Sequence, residues 1–406
     1  MTAVVVEEIR PRGENASPED DVPMDDAPAS PTSRNDRETK LAEDLFYDSD
    51  DSLEEEMKKE AAAHTPPSSE EEASKGVYVH LAEGPAFKEL CFDIDLTDYD
   101  DVRTCCDKAN ICEKCWTFIT MAIKVVDVAL RQDFGFKHIM WVYSGRRGAH
   151  AWISDCAART MTDQQRKAIA GYLDVVRGGA QNGKRVNLPR PLHPHLSRSL
   201  EILKTHFAED VLAVQDPWRS EEQAEKLLQL LPDKSLNDAL RSTWEKSPGR
   251  SSVSKWADID SVARSGASKR LNADALLKAK QDVVFEYAYP RLDIEVSKKL
   301  NHLLKSPFVV HPGTGRVCVP INTKALEDFN PLTVPTIQEL LQEIDEWKEE
   351  EEGASSQENA KTVPDWEKTS LKPYIEQFRT FVAHLLKDER SQKAKREREE
   401  GGKMDF

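Results

Sequence analysis

Apolar and polar positions alternate over a short stretch at residues 88–99. The alternation runs from Leu90 to Leu96, and it has the period of a β-strand. Side chains two positions apart point the same way on a strand, so Asp93 and Asp95 project together from one face. Two carboxylates that close repel each other unless a cation lies between them, and Mg²⁺ and Mn²⁺ prefer such oxygen ligands. An exposed edge strand with solvated acids is the alternative interpretation.

A second strand pattern covers Ile139 to Tyr143, and a third covers His150 to Ile153. Between them lies a turn bracketed by Gly145 and Gly148, where backbone amides can approach an anion closely. The turn and its flanks also supply side-chain donors, namely Ser144, Arg146, Arg147 and His150. These residues indicate either a solvated hairpin tip or a clamp for a triphosphate, which needs convergent positive charge.

Helical periodicity dominates several other stretches of the chain. It predicts helices over residues 116–130, 162–177, 336–350 and 371–390, with Thr162 as an N-cap. Residues 196–281 are predicted to be a helical insertion with breaks at Pro217, Pro232 and 247–249. Strand-like alternation returns over 282–296 and places Asp293 in a strand. A basic segment with Lys305 follows, then a strand, a turn at His311 and another strand.

Four cysteines cluster between the first strand and the first helix. Cys105, Cys106, Cys112 and Cys115 follow the spacing CC, five residues, C, two residues, C. Four thiolates suit tetrahedral Zn²⁺, and Cys-x-x-Cys is a common chelating turn. The adjacent pair is unusual for a zinc site, so structural zinc and free thiols both remain open on spacing alone.

Charge is distributed unevenly along the 406 residues, whose net charge is −17. Residues 1–75 hold 22 acids and 8 bases, which leaves the remainder near neutral. That composition predicts a disordered acidic tail, and it does not argue against a nucleic-acid partner for the body. No apolar run approaches the roughly 18 residues that a membrane span needs. The odd number of cysteines, seven, favours a reducing compartment, cytosol or nucleus.

Several motifs in order resemble one protein family. They are Glu-Leu-Cys-Phe-Asp-Ile-Asp, Cys-Cys…Cys-Glu-Lys-Cys-Trp, Asp-Phe-Gly-Phe-Lys-His, Tyr-Ser-Gly-Arg-Arg-Gly-Ala-His and Leu-Lys-Ser-Pro-Phe…His-Pro-Gly-Thr-Gly-Arg. From about residue 76 to 390 the chain resembles the catalytic small subunit of eukaryotic DNA primase. The resemblance implies an α+β architecture, the archaeo-eukaryotic primase fold, with a mixed-sheet catalytic core and an inserted helical subdomain. The expected boundaries are 1–75 tail, 76–195 core with the zinc motif, 196–281 insertion, 282–390 second part of the core and 391–406 charged tail.

The resemblance also implies roles for the candidate residues. Asp93, Asp95 and Asp293 would be the Mg²⁺- or Mn²⁺-binding catalytic carboxylates. Ser144, Arg146, Arg147, His150, Lys305 and His311 would contact nucleotide phosphates, and Cys105, Cys106, Cys112 and Cys115 would bind structural Zn²⁺. The implied activity is template-directed RNA primer synthesis on single-stranded DNA from ribonucleoside triphosphates. The implied partners are a primase large subunit and the DNA polymerase alpha complex, and the implied location is the nucleus.

One departure from the family leaves an alternative open. The family carries an Arg-Glu-Phe-Ser-Phe-like motif ahead of the Asp-x-Asp strand, in a segment that helps bind the initiating nucleotide, and this chain holds no such motif. We therefore expect primer extension to exceed initiation, or, alternatively, an impaired family member acting as a replication scaffold. A nuclease would also use clustered carboxylates and two metals, but it has less need of a triphosphate clamp.

Overall fold

A four-stranded antiparallel sheet forms the centre of the protein. The computed structural model describes residues 87–176, 185–186, 188–268, 271–299, 304–353 and 363–401. The strands are β1 (Leu90–Asp95), β2 (Ile139–Tyr143), β3 (Gly148–Ile153) and β4 (Pro320–Ile321), in the spatial order β1-β3-β2-β4. Every described strand pair is antiparallel, so the predicted α+β class is confirmed and the expected mixed sheet is wrong for these strands.

Helices make up most of the remaining described chain. The α-helices there are α1 (Glu113–Gln132), α2 (Cys156–Arg159), α3 (Asp163–Leu173), α4 (Pro194–His206), α5 (Glu221–Leu230), α6 (Lys234–Glu245), α7 (Ser252–Arg264), α8 (Ala273–Ala288), α9 (Ile294–Lys298), α10 (Ile337–Gly353) and α11 (Lys372–Gly401). A π-helix covers Phe207–Gln215, and 3₁₀ turns cover Leu96–Tyr99, Thr323–Asp328 and Asp365–Lys368. Within this part of the chain no helix is both long enough and apolar enough to cross a membrane.

The apolar face of the sheet packs into the main core. Leu90, Phe92 and Ile94 are fully buried there, together with the inward side of α1. Burying a side chain of this size stabilises a fold by about 1.5–3 kcal/mol, so this face supplies much of the local stability. Trp141 on β2 joins the same core, and its indole N–H donates to Asp127 on α1 at 3.0 Å. The alternation of β1 was therefore interpreted correctly.

The opposite face of the sheet carries the polar candidates. Asp93 lies opposite His150 on β3, which in turn lies opposite Val142 on β2, so the three side chains share this face. Two apolar side chains of α11, Phe378 and Phe381, cover the β2 end of the face. Asp93 and Asp95 lie on β1, away from these two side chains, and remain partly exposed.

The strand predicted over residues 282–296 is wrong. Residues Ala273–Ala288 form α8 and Ile294–Lys298 form α9. The apolar run from Val283 to Tyr289 is buried on all sides, because the helix passes through the core. A short run of that kind does not distinguish a buried strand from a buried helix by periodicity.

Other helical predictions hold with changed ends. The helix after Thr162 forms with that residue as its N-cap but ends at Leu173, and the breaks at Pro217, Pro232 and 247–249 occur as expected. The helical region begins at Pro194, and its last helix crosses the boundary expected at 281. The charged segment from 391 continues α11 to Gly401. The acidic tail and the short strand expected near Gly76 lie outside the described residues.

Replacing Gly148 should destabilise the sheet, because a Cβ there would lie 2.2 Å from the carbonyl oxygen of Ile94 on the neighbouring strand. We expect Gly148→Ala to lower the free energy of unfolding by about 1–3 kcal/mol, measured by thermal or urea denaturation. The control is Gly171→Ala in α3, where an added Cβ meets no atom within 4 Å. That change should stabilise by about 0.5–1 kcal/mol. Equal effects of the two substitutions would contradict the close packing of β3 on β1.

Candidate active site

Three carboxylates meet at the end of β1. Asp93 and Asp95 project from the open face of the strand, and Asp95 also caps the following 3₁₀ turn by accepting from the amide and hydroxyl of Thr97, both at 2.8 Å. Asp293 arrives from the other half of the core, where its amide donates to the carbonyl of Asp93 at 3.1 Å. The three line a cleft of about 510 Å³ together with Asp98. The predicted carboxylate cluster is therefore assembled, although Asp293 comes from a loop and not from a strand.

A network of charged residues holds the loop of Asp293 in place. The amide of Arg291 donates to the hydroxyl of Tyr99 at 2.9 Å, and the guanidinium bonds the Asp98 carbonyl and the Asp101 carboxylate. Arg185 joins Asp101 to Glu286 with bonds of 2.6 Å to each. Neither residue type nor spacing marks these residues in the sequence. An arginine two positions before Asp293 is the only local signal, and it is a weak one.

The cluster of like charges changes the protonation of Asp93. Burial, followed by the negative charges of Asp95, Asp293 and Asp98, raises its pKa to about 7. Burial likewise raises the pKa of Asp98 to about 6, again with help from Asp95 and Asp293. Negative charge is therefore concentrated in this cleft beyond what the surrounding bases offset. A bound divalent cation would relieve that repulsion.

The glycine-bracketed turn between β2 and β3 has a tightly fixed shape. The amide of Ser144 donates to the carbonyl of Gly148 at 2.9 Å, and the amide of Gly148 donates back to the Ser144 hydroxyl at 3.0 Å. Gly145 has φ +82°, and a Cβ there would lie 2.6 Å from the Cβ of His311. Only glycine therefore lets the His311 turn approach. The Thr314 hydroxyl secures this approach by donating to the Gly145 carbonyl at 2.6 Å.

All six predicted phosphate-binding residues lie around one small pocket of about 110 Å³. They are Ser144, Arg146, Arg147, His150, Lys305 and His311, and Asp93 and Asp95 form the rest of its wall. Arg147 bonds Asp95, with its Nε 2.7 and 2.8 Å from the two carboxylate oxygens. His150 Nε2 lies 3.5 Å from Asp93, and burial lowers the pKa of His150 to about 4, so this imidazole is neutral at pH 7. The pocket thus joins positive donors directly to the carboxylates.

The four cysteines also come together. The sulfur atoms of Cys105, Cys106, Cys112 and Cys115 all lie within 4.8 Å of one another. The side-chain amide of Gln215, at the end of the π-helix, donates to Cys105 Sγ at 3.4 Å and to the Lys114 carbonyl at 2.9 Å.

The loop between the two halves of the cysteine cluster is shaped by a buried arginine. Arg103 donates to the carbonyl oxygens of Lys108 and Asn110 at 2.8 and 3.0 Å. Gln215 and Arg103, which were not predicted from the sequence, therefore hold the cysteine loop from two sides.

Comparison with known proteins agrees with this geometry. The family model described as DNA primase small subunit matches residues 92–323, which include most of β1, the cysteine cluster, the basic turn and Asp293. The chain belongs to the DNA primase small subunit family. It is 54% identical to the DNA primase small subunit of Schizosaccharomyces pombe over 77% of this chain and 72% of that protein. It is 44% identical to the DNA primase small subunit of Saccharomyces cerevisiae over 79% of this chain and 74% of that protein. It is 39% identical to the DNA primase small subunit of Drosophila melanogaster over 76% of this chain and 72% of that protein.

The raised pKa of Asp93 predicts how the stability of the protein depends on pH. Because the folded-state pKa of Asp93 is raised from 3.8 to about 7, its contribution to stability is greatest below pH 4 and is lost as the pH rises to 7. In metal-free protein at pH 8, Asp93→Asn should therefore increase the free energy of unfolding by on the order of 2–4 kcal/mol. The melting temperature should rise accordingly. The two proteins should differ little near pH 4, as measured by thermal denaturation in chelator.

The control for the pH test is Glu295→Gln. Glu295 lies on α9 beside Asp293, and its carboxylate pairs with Lys298 at 2.7 Å. It should show no gain in stability at pH 8. A gain of the same size in the control, or no gain in Asp93→Asn, would contradict crowding of negative charge at Asp93.

Proposed function

We propose that the chain is the catalytic subunit of a DNA primase, with the archaeo-eukaryotic primase fold. In this proposal it joins ribonucleoside triphosphates into short RNA primers on single-stranded DNA. The observation that supports the proposal most is the shared pocket, which Asp93 and Asp95 line together with Ser144, Arg146, Arg147, His150, Lys305 and His311. Nucleotidyl transfer needs carboxylates for a metal and positive charge for a triphosphate within the same few ångströms.

The carboxylates fit a pair of hard divalent cations. Asp93, Asp95 and Asp293 offer only oxygen ligands, and burial together with the neighbouring carboxylates raises the pKa of Asp93. They would hold Mg²⁺ or Mn²⁺, which would supply activation of a 3′-hydroxyl and neutralisation of charge on the leaving pyrophosphate. The positive groups have a positioning role. Arg146, Lys305 and His311 hold the triphosphate in line, so that orientation and electrostatics carry most of the rate gain.

The cysteine cluster fits a structural zinc ion. Zinc–sulfur bonds of about 2.3 Å in a tetrahedron place the sulfurs about 3.8 Å apart, and Cys112 Sγ lies 3.9 Å from Cys115 Sγ. Arg103, 4% exposed, lies with its Nη1 3.9 Å from Cys115 Sγ and offsets thiolate charge. We propose that zinc joins the loop to the start of α1, apart from the chemistry.

Partners and location complete the proposal. The relatives are named as small subunits, which supports assembly with a primase large subunit. We extend this to association with the DNA polymerase alpha complex and to the nucleus, where primers for replication are needed. Initiation is expected to need the large subunit more than extension does.

Asp93→Asn should slow primer extension strongly, because the remaining carboxylates would hold the cations poorly. Loss of metal-based charge stabilisation is worth several kcal/mol, so the rate should fall by about 100-fold or more. The measurement is ribonucleotide incorporation on a primed DNA template at saturating Mg²⁺. Glu295→Gln is again the matched control and should keep wild-type rates. Near wild-type extension by Asp93→Asn would refute the proposed metal site, and the melting temperature measured alongside verifies folding.

Zinc content tests the cysteine cluster. Wild-type protein should contain about one zinc per chain by elemental analysis, in line with a four-thiolate site. The double variant Cys112→Ser/Cys115→Ser should contain almost none and melt at a lower temperature. Cys156→Ser, which changes a partly exposed cysteine outside the cluster, should keep the zinc and the stability. Undiminished zinc in the double variant would refute the assignment.

A further inference from the structure

A basic groove lies beside the second half of α11, away from the pocket of the proposed chemistry. Its volume is about 410 Å³, and its walls include Arg159 at the end of α2 and Arg390, Lys393 and Arg396 on α11. We call this feature the α11 groove. The three α11 residues are spaced three apart and are exposed, so they form a row along one side of the helix.

Two of the three acids in the same helical segment pair with basic side chains of the protein body, and the third, Glu397, is exposed. Residues 387–398 contain six bases and three acids. Of these acids, Asp388 bonds His138 Nε2 at 3.1 Å and Glu389 pairs with Arg159. Asp388 and Glu389 thereby fasten α11 to the protein, Glu389 from the wall of the groove itself, and the three bases of the row remain exposed.

The groove lies on the same side of the sheet as the carboxylates. Further back along the helix, Phe378 and Phe381 cover the open face of β2, the face that Asp93 shares. At the groove end, the Arg159 carbonyl accepts from the amide of Lys88, just before β1. Lys88 precedes Asp93 by five residues, which at about 3.3 Å per residue is about 17 Å along the strand. One strand of DNA carries a phosphate every 3.4 Å or so, and the distance therefore corresponds to about five phosphates.

We propose that the α11 groove binds the sugar–phosphate backbone of the template–primer about five nucleotides from the carboxylates. The inference rests on the proposed function, because it needs a nucleic acid leaving the catalytic pocket. Exposed Arg and Lys side chains bind phosphates without reading sequence, as a primase that must act on many templates requires. The rest of the chain beyond residue 75 is near neutral, so the row is a local concentration of charge and not a general property of the surface.

The main experiment compares two double variants that remove the same charge from the same helix. Lys393→Gln/Arg396→Gln changes the groove, and Lys395→Gln/Arg398→Gln changes other sides of α11. Dissociation constants for a fluorescent primed template are measured by anisotropy at several salt concentrations. The groove variant should bind on the order of tenfold more weakly, and its salt slope should fall by about 1.4–1.8, the value for two lost phosphate contacts. The control pair should match wild type.

Template length provides a second readout. On a primed template whose strands end within about three nucleotides of the reacting end, groove variant and wild type should bind equally, because no phosphate reaches the groove. The KM for ribonucleoside triphosphate at saturating template should be unchanged as well. Equal weakening by both variant pairs, or weakening that does not depend on length, would overturn the proposal.

Cys156 offers a test that needs no substitution. It lines the groove and is partly exposed, so a long primed template should slow its alkylation by a neutral maleimide, while a short one should not. Peptide mapping by mass spectrometry separates this cysteine from the others. If the groove instead binds an acidic protein segment, DNA will neither protect Cys156 nor alter the salt slope, and the proposal fails. Binding is measured here without catalysis, so a wild-type chain that extends no primer refutes the proposed function without deciding the groove.

Discussion

The backbone bond between the amide of Asp293 and the carbonyl of Asp93 joins two parts of the chain that are far apart in sequence. It aligns the loop before α9 with the end of β1, and the site exists only while this contact holds. A second bond strengthens it, since the hydroxyl of Ser297 donates to the Cys91 carbonyl at 2.6 Å. Backbone contacts are suited to this task because they fix position without adding charge. These two bonds hold the two parts of the site together, although the whole helical region lies between them in the sequence.

The same contact creates an electrostatic problem that the surrounding residues manage. Drawing Asp293 up to Asp93 and Asp95 adds negative charge in a half-buried cleft, and burial already raises the pKa of Asp93. Arg147 offsets Asp95 directly, and Arg291 offsets the neighbouring Asp101. Neither arginine cancels the excess at Asp93. The excess charge lowers the stability of the empty site and increases its affinity for cations. Such a conflict between function and stability is common in proteins.

Much of this arrangement could be predicted from the sequence, and the failures have physical causes. The β1 pattern was informative because one face is buried and the other open, so period two survives in the sequence. The cysteine spacing and the glycine-bracketed turn were informative because each depends on neighbours in the chain. The strand expected at 282–296 failed because the end of α8, from Val283 onward, is buried on all sides and shows no periodicity. Arg291, Gln215 and Arg103 were missed because their roles depend on distant partners, which residue type and spacing do not reveal.

The π-helix Phe207–Gln215 restricts which changes in chain length this segment can accept. A π-helix bonds residues five apart, so it holds an extra residue compared with a regular helix. Gln215 stands at its end and reaches the Thr104 amide at 2.8 Å as well as the Cys105 sulfur. Removing one residue to regularise the helix would rotate Gln215 by about 100° and turn it away from the cysteine loop. The π-helix therefore sets the direction in which Gln215 points. The segment should tolerate changes of residue type far better than insertions or deletions.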